Sequence, residues 1–369
     1  LKQTQHERLD HILNIKRIDR DDYVWMDHFT ILNLEIFNSL NHNGVSLLQV
    51  LDETVTPMGS RMLRRWLAFP LLQKDKIEER QGIVQFLINN EDFLDDFSSL
   101  FKKIGDLERM VAKISTARIS PREIVQFKNS IKTISLIKKK SKSKKTTLFF
   151  QSLINELDEC VSVVSNIESQ VNEEAPVLIS KGNVIKSNFS NELDEYRKIT
   201  TSSEEILEKI KEREIEKTGI SSLKISYNNV FGYYLEVRNK YKEHVPESWI
   251  RKQTLVSAER YITEELKDIE TKIIHAKSNI LELESKLYES LISSLKSHIY
   301  VFQKNASILA SIDCFLSFSI VSKNNNYVKP KISLENHIDI KNGRHPVIES
   351  AFSDGEVYVP NDIYLDDKN

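Results

Sequence analysis

The sequence has 369 residues, 40% hydrophobic and 29% charged, with a formal net charge of −2. That length supports two or three compact units, and the near-neutral balance excludes nucleic-acid binding through global basicity, so affinity for a polyanion must come from local patches. Nine glycines and eight prolines are few for this length and favour long helices over sandwiches or barrels.

Cys160 and Cys314 have neither disulfide-framework nor metal spacing, which fits a reducing, cytoplasmic setting. No apolar run is expected to span a membrane, and the start of the chain lacks the apolar core of a signal peptide. A chain that begins at Leu1 rather than Met and stops at Asn369 is expected to be a fragment.

In chain order, Asp21 to Phe37 is expected to begin as a strand and to continue with apolar residues in alternation. Pro57 then opens a helix whose Met58, Met62, Leu63, Trp66 and Leu67 form an apolar face. Arg61, Arg64 and Arg65 lie on its other side, as a solvated face or a phosphate patch. Residues 75 to 135 read as helical, with Ser120, Pro121 and Glu123 marking one helix start. Lys138 to Lys145 is a dense basic run, a charged loop between helices or a second DNA contact.

From Leu193 a helical stripe continues through Tyr196, Ile199, Ile206, Ile210 and Ile215, ending before Gly219. Lys224 to Lys240 is then two strand-like runs rich in Tyr, Ile, Val and Leu, broken at Asn228-Asn229 and near Gly232. A third run, Trp249 to Val256, should alternate Ile250, Lys252, Thr254 and Val256 on one face with Arg251, Gln253 and Leu255 on the other. Between Gly219 and Ile262 seven Lys and Arg face four Glu, so this β segment is modestly basic.

Thr263 is placed to N-cap the next helix, with Glu264 and Glu265 at the positive end of its dipole. Its Leu266, Ile269, Ile273, Ala276, Ile280, Leu283 and Leu287 are spaced by threes and fours, as in a coiled-coil seam. Two long helices with a sheet between them make an antiparallel arm with a β tip; the second, from 264 to about 300, spans roughly 55 Å. Residues Phe302 to Val321 are apolar and should return to the core. Tyr327-Val-Lys-Pro, Ile338-Asp-Ile and Gly343 to Glu349 read as strands, followed by Val357 to Ile363, and His345 reads as structural.

Four separate stretches resemble the MutS family of DNA mismatch repair proteins. They are Leu47 to Leu67, Asp106-Leu-Glu-Arg109 with Ser120-Pro-Arg-Glu123, Phe231-Gly-Tyr-Tyr-Leu-Glu-Val237 with Arg251 to Leu266, and Gly343-Arg-His-Pro with Val359-Pro-Asn-Asp362. The resemblance implies a mainly α fold, a helical core with a long antiparallel two-helix lever carrying a small antiparallel β clamp at its tip. Its segments would be the end of a connector domain (1–22), the first part of a core (23–188), the ascending lever helix (189–219), the clamp (220–263) and the descending lever helix (264–300). A core return (301–326) and the first strands of an ATPase domain (327–369) would follow.

The same resemblance implies mismatch repair, with the clamp holding double-stranded DNA by sequence-independent backbone contacts and the lever coupling it to nucleotide state. The implied DNA contacts are Arg251, Lys252, Asn228, Asn229, Ser257, Arg238 and Lys240. Family members often place a basic or amide residue just ahead of Ala-Glu-Arg-Tyr, where this chain has Val256 and Ser257. Tyr358 and Val359 fall where the family packs adenine. ATP and Mg²⁺ would serve the full-length protein, which would form a homodimer and meet a MutL-type partner, away from membranes. The family's N-terminal mismatch-reading domain has no counterpart here. No Gly is followed by Lys, so the chain lacks a phosphate loop and is expected not to be an enzyme, nor to bind a cofactor or metal itself. The rival reading is a coiled-coil arm whose β tip is a protein-interaction module.

Overall fold

Helices dominate the computed structural model, which describes residues 20–42, 44–228, 230–352 and 357–367. In chain order, the helices before the sheet are α1 (His28–Asn33), α2 (Leu47–Leu51), α3 (Pro57–Ala68), α4 (Lys74–Ile88), α5 (Glu91–Phe101), α6 (Leu107–Ser115), α7 (Pro121–Ser141), α8 (Leu148–Glu156), α9 (Val161–Gln170) and α10 (Asn191–Thr218). Strands β1 (Lys224–Asn228), β2 (Gly232–Arg238), β3 (Ile250–Thr254) and β4 (Ala258–Ile262) follow. Then come α11 (Glu264–Leu295), α12 (Ile299–Asn324), β5 (His337–Gly343), α13 (Pro346–Ser350) and β6 (Asn361–Asp366). The fold is mainly α, as the sequence implied. The described chain forms two compact units: one takes in residues up to Ile119, Glu123–Ile167 and Ser293 onward, the other Ser120–Arg122 and Glu168–Ile292.

The first unit is built around α12, which is buried on nearly every side and packs against α3, α4, α5, α6 and α8. A helix apolar all round belongs in a core. The helical run Glu264–Asn324 contains a window apolar enough to cross a membrane, contrary to expectation, but 72% of that window is buried inside the protein. Polar residues of α12 fix its neighbours. Asp313, 1% exposed, accepts hydrogen bonds from the Val55 and Thr56 main-chain nitrogens (3.1 and 2.8 Å) and the Thr56 hydroxyl (2.6 Å). Thr56 in turn caps α3, accepting from the Gly59 nitrogen at 3.0 Å.

Three local expectations change in this unit. Asp21 to Phe37 holds no strand beyond a single bridge from Tyr23 to Leu71, because Asp27 caps α1 by accepting from the Thr30 nitrogen at 2.7 Å. Gly343 to Glu349 supplies only the end of β5; Pro346 then opens α13, capped by His345. No strand forms over 327–336; β5 pairs antiparallel with β6 instead.

In the second unit, Ser190 caps α10 and Gly219 ends it at φ +70°, the left-handed backbone that suits glycine at a helix C-terminus. Thr263 caps α11 as expected, accepting from the Leu266 nitrogen at 3.2 Å. The two helices run antiparallel: Arg197 reaches Glu284 (2.8 Å), Lys277 reaches Glu204 (4.0 Å) and Arg213 reaches Glu265 (2.5 Å), so α11 descends in number as α10 ascends. Leu266, Ile269, Ile273 and Ala276 are buried, but Ile280, Leu283 and Leu287 are only half-buried. Burial moves to Glu284 and Tyr288, as a helix of 3.6 residues per turn drifts from a 3.5-residue repeat. Along α10 the buried stripe is Leu193, Ser203, Leu207, Ile210, Glu214 and Thr218, while the expected Ile199 and Ile206 are exposed.

The sheet has the order β1-β2-β4-β3, all neighbours antiparallel. Leu235, Val237 and Tyr261 face a core completed by Leu207 and Ile210 of α10 and Leu266, Ile269 and Ile273 of α11. Gly232 turns at φ +79° with the Glu270 carboxylate where a Cβ would lie. On β3, Arg251 pairs with Tyr261 and Gln253 with Arg260, leaving Lys252 as the extra residue of a bulge. The expected alternation therefore fails: Arg251 and Gln253 stand opposite adjacent β4 residues and take opposite faces.

Candidate nucleic-acid interface

The sheet divides its charges between two faces and one end. On the core face, in line with Tyr261 and beside Val237, lies Glu259, only 2% exposed. It accepts from the Tyr261 hydroxyl, from Lys242 Nζ at 3.0 Å and from Arg251 Nη1 at 3.2 Å. The hydrogen bond from Tyr261, then that from Lys242, holds the Glu259 carboxyl below the ordinary glutamate range. Burial, then the bond to Glu259, pushes the Tyr261 phenol up to about 12. On the opposite face Arg260 donates to Glu236 (3.1 Å) and Gln253 (2.8 Å) and lies over the Tyr234 ring at 4.5 Å. Three of the seven cations are thus occupied.

The other four, Lys224, Arg238, Lys240 and Lys252, are exposed and have no carboxylate partner among the described residues. Arg238 ends β2 opposite Ala258, and Lys240 follows it in the 3₁₀ turn Asn239–His244, its ammonium 4.5 Å from the Tyr241 ring centre. Hydrogen bonding from Ser221 and from Lys240 lowers the Tyr241 phenol. Asn239 ties this corner to the β3–β4 turn, its main-chain nitrogen donating to the Ser257 carbonyl (3.1 Å) and its side chain to the Val256 carbonyl (2.9 Å). Val256 and Ser257 are exposed there. Lys252 projects from the bulge on the outer strand β3, where a lysine also blunts an open sheet edge.

The expected contact residues do not form one patch. Arg238, Lys240 and Ser257 share one end of the sheet, whereas Asn228 pairs with Gly232 about 20 Å away along β2, at roughly 3.3 Å per residue. Its side chain accepts from the Val230 nitrogen at 2.7 Å and so shapes the turn. Asn229 lies outside the described residues. Glu259 is the residue that sequence reasoning missed; its signal was a shared strand face with Tyr261, two residues away, which places it toward the core.

Elsewhere, Arg61 is bound to Asp106 and Glu108, and Arg64 stacks on Phe37 at 4.1 Å. Of the basic run, Lys138 to Lys140 belong to the last turn of α7; Lys138 donates to the Leu157 carbonyl at 2.5 Å and Lys140 pairs with Asp96, leaving Lys139, Lys142, Lys144 and Lys145 exposed. Tyr358 is half-buried with its ring 5.9 Å from that of Phe352, and Val359 is exposed.

A four-stranded antiparallel sheet inserted between two antiparallel helices, with cations that lack a carboxylate partner among the described residues at its end and edge, defines a mainly α protein. The family model MutS domain III matches residues 29–319. The DNA mismatch repair protein MutS of Flavobacterium johnsoniae is 49% identical over 99% of this chain, that of Bacteroides fragilis 46% over 99%, and that of Cytophaga hutchinsonii 45% over 100%. The chain belongs to the MutS family. It spans 42 to 43% of the length of those relatives. The expectation that it is not an enzyme is withdrawn on that finding, since a phosphate loop missing from this portion does not describe the whole protein.

Proposed function

We propose that this chain serves DNA mismatch repair as the part that holds duplex DNA through its phosphate backbone. The observation that carries the reading is the set of four exposed cations without carboxylate partners, Lys224, Arg238, Lys240 and Lys252, in a segment where three others are bound. Arg238 and Lys240, at the same end of the sheet as Ser257, would meet the phosphates, and Lys252 would extend the contact along the β3 edge. Such contacts position a protein on DNA without reading sequence. Asn228 would engage only a duplex that also reached the opposite end of the sheet.

In this reading α10 and α11 are the lever, β1 to β4 the clamp, the first unit the core, and β5 with β6 the start of an ATPase domain. Tyr358 and Val359 would meet adenine there, and ATP with Mg²⁺, a homodimer and a MutL-type partner belong to the full-length cytoplasmic protein. The relatives' name as DNA mismatch repair proteins supports it. Fully exposed Val256 favours the rival, a protein-binding tip. Fluorescence anisotropy with a matched and a mismatched duplex separates them. The DNA reading expects equal affinities of about 10⁻⁴ to 10⁻⁶ M that weaken with salt; binding insensitive to salt, or none, rejects it.

A further inference from the structure

Four carboxylates and seven cations occupy the segment from Gly219 to Ile262, yet one of them, Glu259, differs from the other three in its surroundings. It is 2% exposed, and its partners come from three places in the chain: Lys242 from the turn after β2, Arg251 from β3 and Tyr261 from its own strand. Lys242 and Arg251 each keep 55% of their side-chain surface, so both cations stand at the surface while their charged heads point to a covered anion. The hydrogen bond from Tyr261 removes a further acceptor site from Glu259 and fixes the carboxylate in place.

We propose that Glu259 is an internal stand-in for phosphate, holding Lys242 and Arg251 out of the DNA contact so that Arg238, Lys240 and Lys252 carry it. This rests on the DNA reading of the sheet. Guanidinium and ammonium groups bind carboxylate and phosphate by the same charge-assisted hydrogen bonds, so a cation given to one is withheld from the other. The strand register sets Arg251 opposite Tyr261, two residues from Glu259 on the same face, so the Arg251 pair needs no rearrangement of the sheet. A duplex would have to break a preformed, partly desolvated pair to recruit either cation.

The test measures duplex binding by the full chain at several salt concentrations. Each phosphate contact contributes about 0.9 to the slope of log affinity against log salt, or about a 3.5-fold loss between 50 and 200 mM. Arg251→Ala and Lys242→Ala are expected to change that slope by less than half of one phosphate's share, and Arg238→Ala and Lys240→Ala by a full share each. Glu259→Gln should release two cations and deepen the loss over the same salt range by up to about 12-fold. Adding Arg251→Ala and Lys242→Ala to Glu259→Gln should cancel that gain. A slope shallower by about 0.9 in Arg251→Ala or Lys242→Ala alone overturns the inference and needs no folded Glu259→Gln protein. A Glu259→Gln protein with the wild-type circular dichroism spectrum and an unchanged slope also overturns it. If Arg238→Ala and Lys240→Ala leave the slope unchanged too, the DNA reading itself fails, and this inference with it.

Discussion

Asp313→Ala is expected to destabilise the first unit by about 3 to 4 kcal/mol. The carboxylate accepts three hydrogen bonds, two from main-chain nitrogens and one from the hydroxyl that caps α3. Val55 is partly exposed, so its nitrogen can turn to water, but Thr56 is 2% exposed and loses the partner of both its nitrogen and its hydroxyl. A buried donor left unsatisfied costs about 1 to 3 kcal/mol, and the two together set the estimate after allowing for relief of a desolvated charge. Urea unfolding followed by Trp66 fluorescence reports on this unit, because Trp66 packs 5.2 Å from Phe315 of α12. With a slope of about 3 kcal/mol per molar urea, the midpoint should fall by about 1 M. A loss below about 1 kcal/mol would refute the assignment of Asp313 as the link between α12 and the start of α3.

Glu284→Ala strips the 2.8 Å partner of Arg197 and the acceptor of the Val184 nitrogen, and should cost about 3 to 5 kcal/mol in the second unit, read by hydrogen exchange at Val184 and Ile185. Ile273→Asp should open the α10–α11 pair to proteolysis, whereas Ile280→Asp, at a half-buried site, should be far milder; equal effects would contradict the seam drift. Cys160 and Cys314 should resist thiol reagents in the native state, since burial pushes Cys160 up to about 12 and raises Cys314 as well; prompt labelling at neutral pH would show the core open. The Glu259 carboxyl is depressed, so its stabilising contribution is present above the ordinary glutamate range and is lost as pH falls through the lowered value. Acid titration of Trp249 fluorescence should therefore show a transition below that range that Glu259→Gln lacks.

The parts of the fold written in local periodicity were legible. Thr263 and Gly219 bounded the arm, Pro57 opened α3, and Leu266 to Ala276 formed the seam. What escaped was written in polar residues. Ser203 and Glu214 sit on the buried stripe of α10, so a search for apolar positions chose Ile199 and Ile206 instead. A bulge at Lys252 shifts the pleat by one residue, and no strand propensity encodes it. For the candidate site, charge counting gave the surplus, but the resemblance offered Arg251 as a DNA contact, whereas its guanidinium pairs with Glu259. Its partner is eight residues away across the β3–β4 turn, visible only once the register is fixed.

The central claim is that the exposed cations of the sheet hold duplex DNA by its backbone. The most direct test is the salt dependence of duplex affinity for the wild-type chain and for a variant combining Arg238→Ala, Lys240→Ala and Lys252→Ala. The account predicts a slope shallower by about 2.7, at about 0.9 for each cation removed, for matched and mismatched duplexes alike. An unchanged slope in that variant, with binding abolished instead by neutralising Lys142, Lys144 and Lys145, would contradict it.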